Sequence, residues 1–266
     1  MKRINIVMDV IFRKLTHQDW DNLLIIGGDE GIGKSTLGLH LCDYWYNLLY
    51  NNCGPELIKN VALSLSQFIT ALKNLKRYEL IIYDEAGELS SLRMMEKFNY
   101  AISKAYEVIR GDNLFTILIL PDVFYVNPFF SMRRARGYIH VYKRGSFAYW
   151  NKITLRNLVE KNKSYKKKSV WRVKPLFHDR FFKYKGALKE PYDKKKKEKM
   201  ITIREDLYDK LLIKEQEKYD FLKYIFNAKE LVGVTKSSEI FECSKQTIYN
   251  KYHEFKESRD KEFKIK

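Results

Sequence analysis

Leu23-Leu24-Ile25-Ile26-Gly27-Gly28-Asp29-Glu30-Gly31-Ile32-Gly33-Lys34-Ser35-Thr36 is the stretch on which the fold turns. Four apolar residues ending in two glycines read as a buried parallel strand. From Lys34 to about Tyr50 the apolar residues Leu37, Leu41, Tyr44, Trp45 and Leu48 recur at helical spacing, and the pattern stops near Asn51–Pro55. Between strand and helix, Gly28 to Ser35 fits G-x-x-x-x-G-K-[ST] without a mismatch. The glycines let backbone N–H groups turn inward around phosphate oxygens with no Cβ in the way. The helix that begins near Lys34 aims unpaired N–H groups and its positive dipole end at the same anion. Backbone from Gly28, Asp29, Glu30, Gly31, Ile32, Gly33 and Thr36 would line such a cradle. Lys34 would reach the β- and γ-phosphates, and the Ser35 hydroxyl would be a magnesium ligand.

Working outward, Leu80-Ile81-Ile82-Tyr83-Asp84-Glu85 predicts a second strand ending in an acidic pair. That places carboxylates at the C-terminal edge of the sheet, where α/β ligands bind. Asp84 would hold the magnesium through its water shell, and Glu85 is the candidate base that polarises water. Val61–Leu63 predicts a short strand, followed by a helix to about Leu75 capped by Ser64 or Ser66. Met94–Arg110 reads as helix, Phe115–Leu120 as a strongly β run closed by Pro121. Tyr138–Tyr142 and Ser146–Trp150 flank Lys143-Arg144-Gly145 as a β-hairpin. The first 160 residues thus predict an α/β domain with a mainly parallel central sheet and flanking helices.

The two motifs together resemble those of P-loop ATPases that place a catalytic glutamate after the magnesium aspartate, the RecA-like, FtsK–HerA-like and AAA+ groups. Within them, Ile82-Tyr83-Asp84-Glu85-Ala86 after Val61–Phe68 is similar to viral packaging or assembly ATPases and zonular-occludens-toxin-like proteins. The resemblance spans roughly Asp9–Leu155. It implies a P-loop NTPase fold, ATP and Mg2+ as cofactors, and a homo-oligomer, with a ring among the assemblies. It makes Phe115–Leu120 the sensor strand, which here ends in Pro121-Asp122 where the family has a polar donor. An ionised Asp122 cannot donate to phosphate. Arg133-Arg134-Ala135-Arg136 stands where an arginine finger from a neighbouring subunit would be, and Arg110 is a second position for it. The same arginines also suit a plain surface or a DNA-facing one.

Charge is distributed unevenly over the 266 residues. Residues 1–160 carry 20 basic and 16 acidic groups, residues 161–199 carry 16 and 4, and residues 200–266 carry 14 and 13. Most of the formal +17 therefore sits in the middle block, which includes Lys166, Lys167 and Lys168 and many aromatics. Such a block predicts a polyanionic partner, nucleic acid before membrane, against the alternative of a solvated linker. Residues 161–199 read as a connecting segment, part of it docked on a core, and residues 200–266 as a small all-α region. In the latter, Ser244-Lys245-Gln246-Thr247-Ile248-Tyr249 looks like the start of a helix-turn-helix recognition helix. Ser244 would cap it, Ile248 would face inward, and Lys245, Gln246 and Asn250 would face a major groove. Glu242 replaces the usual turn glycine, and a small helical bundle for protein contact is the competing reading.

Composition excludes collagen-like, disulfide-scaffold and wholly disordered classes. Cys42, Cys53 and Cys243 offer neither metal nor disulfide spacing. With no apolar run of about 18 residues and no secretory pattern, the expected location is the cytoplasm, without membrane insertion. The leading function is an ATP-hydrolysing, DNA-binding motor that translocates, packages or transfers DNA. The alternative is an ATP-switched DNA-binding regulator or a partition or loader adaptor. A small-molecule kinase ranks third, because it leaves the basic block unexplained.

Overall fold

The computed structural model describes residues 1–18, 20–84, 100, 112–126 and 130–262. Glu85, Arg110 and all but Tyr100 of the helix expected over Met94–Arg110 lie outside them. The chain divides into two units, Met1–Lys197 and Glu198–Lys266.

The first unit is an α/β fold around a seven-stranded, mostly parallel mixed sheet. Its strands are β1 (Asn22–Gly27), β2 (Val61–Ala62), β3 (Leu80–Asp84), β4 (Phe115–Ile119), β5 (Ala135–Lys143), β6 (Ser146–Asn151) and β7 (Phe177–Arg180). Their spatial order is β2-β3-β4-β1-β5-β6-β7. The first five are parallel, and β5–β6 and β6–β7 are antiparallel. β1, β3 and β4 are buried along their whole length, which is why they read as unbroken apolar runs. β4 lies between β1 and β3, so the ends of those two strands approach from either side of it.

Helices α1 (Lys2–His17) and α2 (Lys34–Tyr50) cover one face of the sheet. α3 (Leu65–Leu72) and the helix Lys152–Asn162 cover the other. α1 follows from Ile4, Met8, Ile11 and Leu15, four buried residues at helical spacing that the motif-centred reading passes over. α2 buries Leu37, Leu41, Cys42, Trp45 and Tyr46, each large side chain contributing about 1.5–3 kcal/mol. The Trp45 indole donates to the Tyr78 carbonyl at 2.9 Å and the Tyr46 hydroxyl to that of Leu80 at 2.8 Å, which fixes α2 against β3. Ser64, not Ser66, caps α3: its side chain accepts from the Gln67 N–H, and the helix ends at Leu72.

The first unit runs past the boundary expected at residue 160, to Lys197, and the part of residues 161–199 docked on a core is nearly all of it. These residues add β7 to the sheet edge, and Phe181, Tyr184, Leu188 and Tyr192 enter the core beside α2. Burying four such side chains outweighs the solvation that a lysine-rich composition favours. Lys194 to Lys197 accordingly stand on a helix that begins at Lys189.

The second unit is helical. The helical run Lys189–Ile240 is interrupted at Gly233 (φ 78°, ψ 170°), and a final helix spans Lys245–Glu262. Leu222, Ile225, Ile248 and Phe255 are buried, and Phe226 stacks on Tyr252 with centroids 4.8 Å apart. Leu207, Leu211 and Leu212, which helical spacing marks as core, are at least half exposed. No helix among the described residues is long and apolar enough to cross a membrane.

Candidate functional site

At the C-terminal end of β1 the chain turns through Gly28 (φ 137°), Gly31 (φ 74°) and Gly33 (φ 104°) before α2 begins. All three values lie where L-residues are strained. At Gly28 space forbids a side chain as well, since a Cβ would collide with the Val141 carbonyl oxygen. The Gly28 N–H donates to the Pro121 carbonyl at 2.9 Å, tying the turn to the end of β4. Asp29, Glu30 and Gly31 are exposed, while Ile32, Gly33, Lys34, Ser35 and Thr36 are half-buried.

Lys34 curls back over this loop. Its Nζ donates to the Gly28 and Asp29 carbonyls at 2.6 and 2.7 Å. Burial pulls its pKa below the ordinary lysine value, against the opposing pull of the Asp84 carboxylate. An ammonium held by two neutral carbonyls, near Asp84, Glu30 and Asp29, would be better satisfied by an anion delivered to the loop.

Asp84 ends β3, buried to 2% exposure. Its Oδ2 accepts a 2.6 Å hydrogen bond from the Tyr192 hydroxyl. The Ser35 side chain is close enough to the same hydroxyl to pull its pKa down, against the larger influences that raise it. Burial and the Asp84 carboxylate together push the Tyr192 pKa far up, so the phenol stays neutral and donates. Ser35 and Asp84, far apart in sequence, are therefore brought to one point beside a third residue. Their oxygens are hard donors that suit magnesium, which keeps waters and takes one or two protein ligands beside phosphate oxygens. Among the described residues no three His, Cys, Asp or Glu side chains converge, so a metal here would rest on this sparse set.

The segment 177–197 forms a strap over the loop. The Phe181 ring lies against Gly33, where a Cβ would stand 3.3 Å from its Cε2. The Phe182 carbonyl lies 2.9 Å from Nε2 of His40 on α2. Lys195 Nζ donates to the Val61 and Ile58 carbonyls at 2.5 and 3.3 Å. From the β5–β6 turn, Arg144 Nη2 donates to the Gly31 carbonyl at 3.1 Å. The open cleft lined by Asn60, Gln67, Thr70, Asn74 and Lys195 lies beside β2, whereas Phe181 lies against the loop at Gly33 and Tyr192 against Asp84. Tyr192, Arg144 and Phe181 are thus site residues that the motif reading misses. The sequence signals are the aromatics crowded into residues 161–199, and Leu188, Tyr192 and Lys195 at helical spacing inside a charge run.

Asp122 caps the short helix Val123–Tyr125 by accepting from the Phe124 N–H at 3.1 Å. Burial raises its pKa, with Asp29 adding in the same direction and Lys168 opposing. A carboxyl so placed is more readily protonated than an exposed one, and in that form it can donate.

The arginines do not join the site. Arg133, Arg134 and Arg136 stand at the N-terminal end of β5, which runs parallel to β1. They are therefore at the opposite edge of the sheet from the loop, about 15–20 Å away by strand rise. Arg134 Nη1 donates to Asp21 Oδ2 at 3.4 Å, and the Arg136 guanidinium lies 4.3 Å from the Trp20 ring centroid. As catalytic groups acting on their own chain's loop, Arg133 and Arg134 are ruled out by distance, and only the loop of a neighbouring copy could meet them.

Lys166, Lys167 and Lys168 are exposed on the loop that follows the helix Lys152–Asn162. In the second unit, Ser244 caps the last helix, with its Oγ accepting from the Thr247 N–H at 3.1 Å. Ile248 is fully buried, and Lys245, Gln246 and Asn250 are exposed, with Gln246 Nε2 donating to Asn250 Oδ1 at 2.9 Å. Glu242 adopts φ 46°, so the turn requires the left-handed conformation that the missing glycine would have supplied. No protein-family model and no curated protein matches the chain.

Proposed function

We propose that the chain is a P-loop NTPase that hydrolyses ATP with Mg2+ and works on DNA as a motor-type ATPase, in the translocation, packaging or transfer of DNA. The observation that carries this reading is the convergence of Ser35 and Asp84 beside a loop turned by Gly28, Gly31 and Gly33. β1 is flanked by β4 and β5, and the loop lies outside its carboxyl end, where open α/β sheets receive ligands. In this reading backbone N–H groups from Gly28 to Thr36 bind the phosphates. Lys34 exchanges the Gly28 and Asp29 carbonyls for the β- and γ-phosphates. Ser35 and Asp84 would hold magnesium, which would neutralise charge on the phosphates. Glu85, next after Asp84, is the base for water. The Tyr192 hydroxyl already occupies Asp84 Oδ2 beside Ser35, so it and the metal compete for that oxygen.

DNA binding is supported by the exposed Lys166–Lys168 and by the helix-turn-helix-like arrangement of the second unit. A homo-oligomer would give Arg133 and Arg134 a loop to act on, and the exposed Leu207, Leu211 and Leu212 are apolar surface that assembly could cover. The capped helix with Lys245, Gln246 and Asn250 on its exposed face also favours a second reading, an ATP-switched DNA-binding regulator.

ATPase rates with and without single- and double-stranded DNA separate the two. A motor shows several-fold stimulation by DNA of any sequence; a regulator shows slow turnover and preference for one operator. Lys34→Ala is expected to abolish ATP uptake in both. Glu85→Gln is expected to retain ATP binding and lose turnover, and normal turnover in that variant would remove Glu85 from the role of base.

A further inference from the structure

On the antiparallel end of the sheet, alternation places Tyr138, His140 and Tyr142 of β5 on one face, with His178 and Arg180 of β7 on that same face. The helix Lys152–Asn162 packs over the inner part of this face, where Tyr138 and Trp150 are buried. Towards the strand ends it is covered only in part, by Trp171 from the short turn Val170–Arg172. The Trp171 ring is nearly parallel to that of His178 (12°, centroids 6.2 Å apart) and meets the edge of Tyr142 at 5.6 Å. Tyr142 in turn meets His178 at 5.7 Å. Trp171 is 50% exposed and Tyr142 41%, and His178 is exposed as well. Beside them the Arg172 guanidinium lies 3.6 Å from the centroid of Tyr165, itself half exposed.

The segment that flanks this face is strongly basic. Residues 161–183 contain nine lysines and arginines and a single acid, Asp179. That acid points to the opposite face, where it accepts from the N–H groups of Arg3 and Ile4 at the start of α1. Exposed aromatic rings among an excess of cations combine the two elements by which proteins hold an unpaired nucleic-acid strand: π-faces for the bases and cations for the phosphates. A duplex keeps its bases stacked inside and could use only the cations.

We propose that Trp171, Tyr142 and His178 form a stacking platform for single-stranded nucleic acid, with its backbone tracked by Lys166–Lys168, Lys174 and Arg180. The platform deepens the nucleic-acid reading above, naming the strandedness of the substrate and the surface that receives it. It is also connected to the nucleotide loop: two residues beyond Tyr142, Arg144 donates to the Gly31 carbonyl. A strand seated on the hairpin therefore bears on the loop through one side chain.

The fluorescence of the chain reports on this surface directly. Of the four tryptophans, Trp45 and Trp150 are fully buried, leaving Trp20 and Trp171 exposed, and Trp20 lies at the far edge of the sheet beside Arg136. Titration of the full chain with oligo(dT) of about 20 nucleotides is expected to quench this emission, with an affinity that falls steeply as salt rises. Trp171→Phe is expected to lose most of the quench while retaining binding within a few-fold. Trp171→Ala and Tyr142→Ala are each expected to weaken it about tenfold. Because Trp171 also packs on Trp150, thermal melting of each variant accompanies the titration. If Trp171→Ala misfolds, the exposed Tyr142→Ala with Trp171→Phe decides. Unchanged affinity in both alanine variants overturns the platform, as does equal affinity for a duplex of the same length. Displacement of oligo(dT) by polyglutamate, with no quench on either, would assign the surface to an acidic protein and overturn it likewise. ATP-analogue binding is measured on the same samples. Oligo(dT) failure with ATP uptake intact removes the platform alone, and ATP failure with the quench intact removes the ATPase reading alone.

Discussion

Loop 28–35 and strap 177–197 face each other at the C-terminal edge of the sheet, and they hold their shapes for different reasons. The loop is shaped by backbone: three glycines at positive φ, and an amide of Gly28 bonded to Pro121. The strap is shaped by side chains that dock at a distance: Phe181 on Gly33, Tyr192 on Asp84, Lys195 on the Val61 carbonyl. A backbone requirement leaves a short fixed signature, because few residues tolerate it. A docked side chain leaves none, because aromatic residues and lysines pack in many places. The difference gives the order of sensitivity to substitution.

The largest effect belongs to the loop. Gly28→Ala puts a Cβ onto the Val141 carbonyl oxygen at a φ of 137°. Steric and conformational costs add, and unfolding in denaturant is expected to show a loss of about 2–4 kcal/mol. ATP uptake should disappear with it, because the first N–H of the cradle must move. A midpoint unchanged from wild type would mean the turn relaxes freely and would erase the contrast with the strap.

At the strap, Tyr192→Phe separates two quantities that a purely structural residue would move together. Removing the hydroxyl takes a hydrogen bond from the buried Asp84 carboxylate and destabilises the nucleotide-free chain by about 1.5–3 kcal/mol. The competitor for Asp84 goes with it, so calorimetric titration is expected to show Mg2+–ADP binding about tenfold tighter. Stability falls while affinity rises. If both fall, Tyr192 belongs to the metal's own surroundings and is no competitor.

The same division explains what could be read from the amino-acid order. β1, α2, β3, β4 and the β5–β6 hairpin are each announced by local pattern, so their existence and the placement of Lys34, Ser35 and Asp84 follow from a few residues. For residues 161–197 the aromatics announce docking on a core but not its extent, because lysine dominates the composition while Phe181, Tyr184, Leu188 and Tyr192 decide the packing. The arginines at 133–136 stand away from their own chain's loop for a topological reason. Their nearness to β4 in sequence says nothing of which sheet edge they occupy until the direction of β5 is known. In the second unit the missing turn glycine shows as strain. Glu242 sits at φ 46°, and Glu242→Gly is expected to stabilise that unit by about 1 kcal/mol in thermal melts. Destabilisation would show that the Glu242 side chain offsets the strain.

The smallest effect concerns His140, which lies between the two regions on β5. Tyr138 Oη is 3.0 Å from its Nδ1, Trp171 meets its ring edge-on, and Asp29 and Lys34 act on it from the loop with opposite signs. Burial is the largest influence and lowers its pKa below the ordinary 6.5. A base with a depressed folded-state pKa binds its proton more readily when unfolded. Its contribution is therefore intact above pH 6.5 and is lost as pH falls below that value, towards the folded-state pKa. His140→Gln keeps a partner for the Tyr138 hydroxyl and removes the titration. The stability difference between pH 7.5 and 5.5 is expected to be smaller in the variant than in wild type. Equal differences would mean that the imidazole takes up its proton in place, and that this part of the edge is wetter than its packing implies.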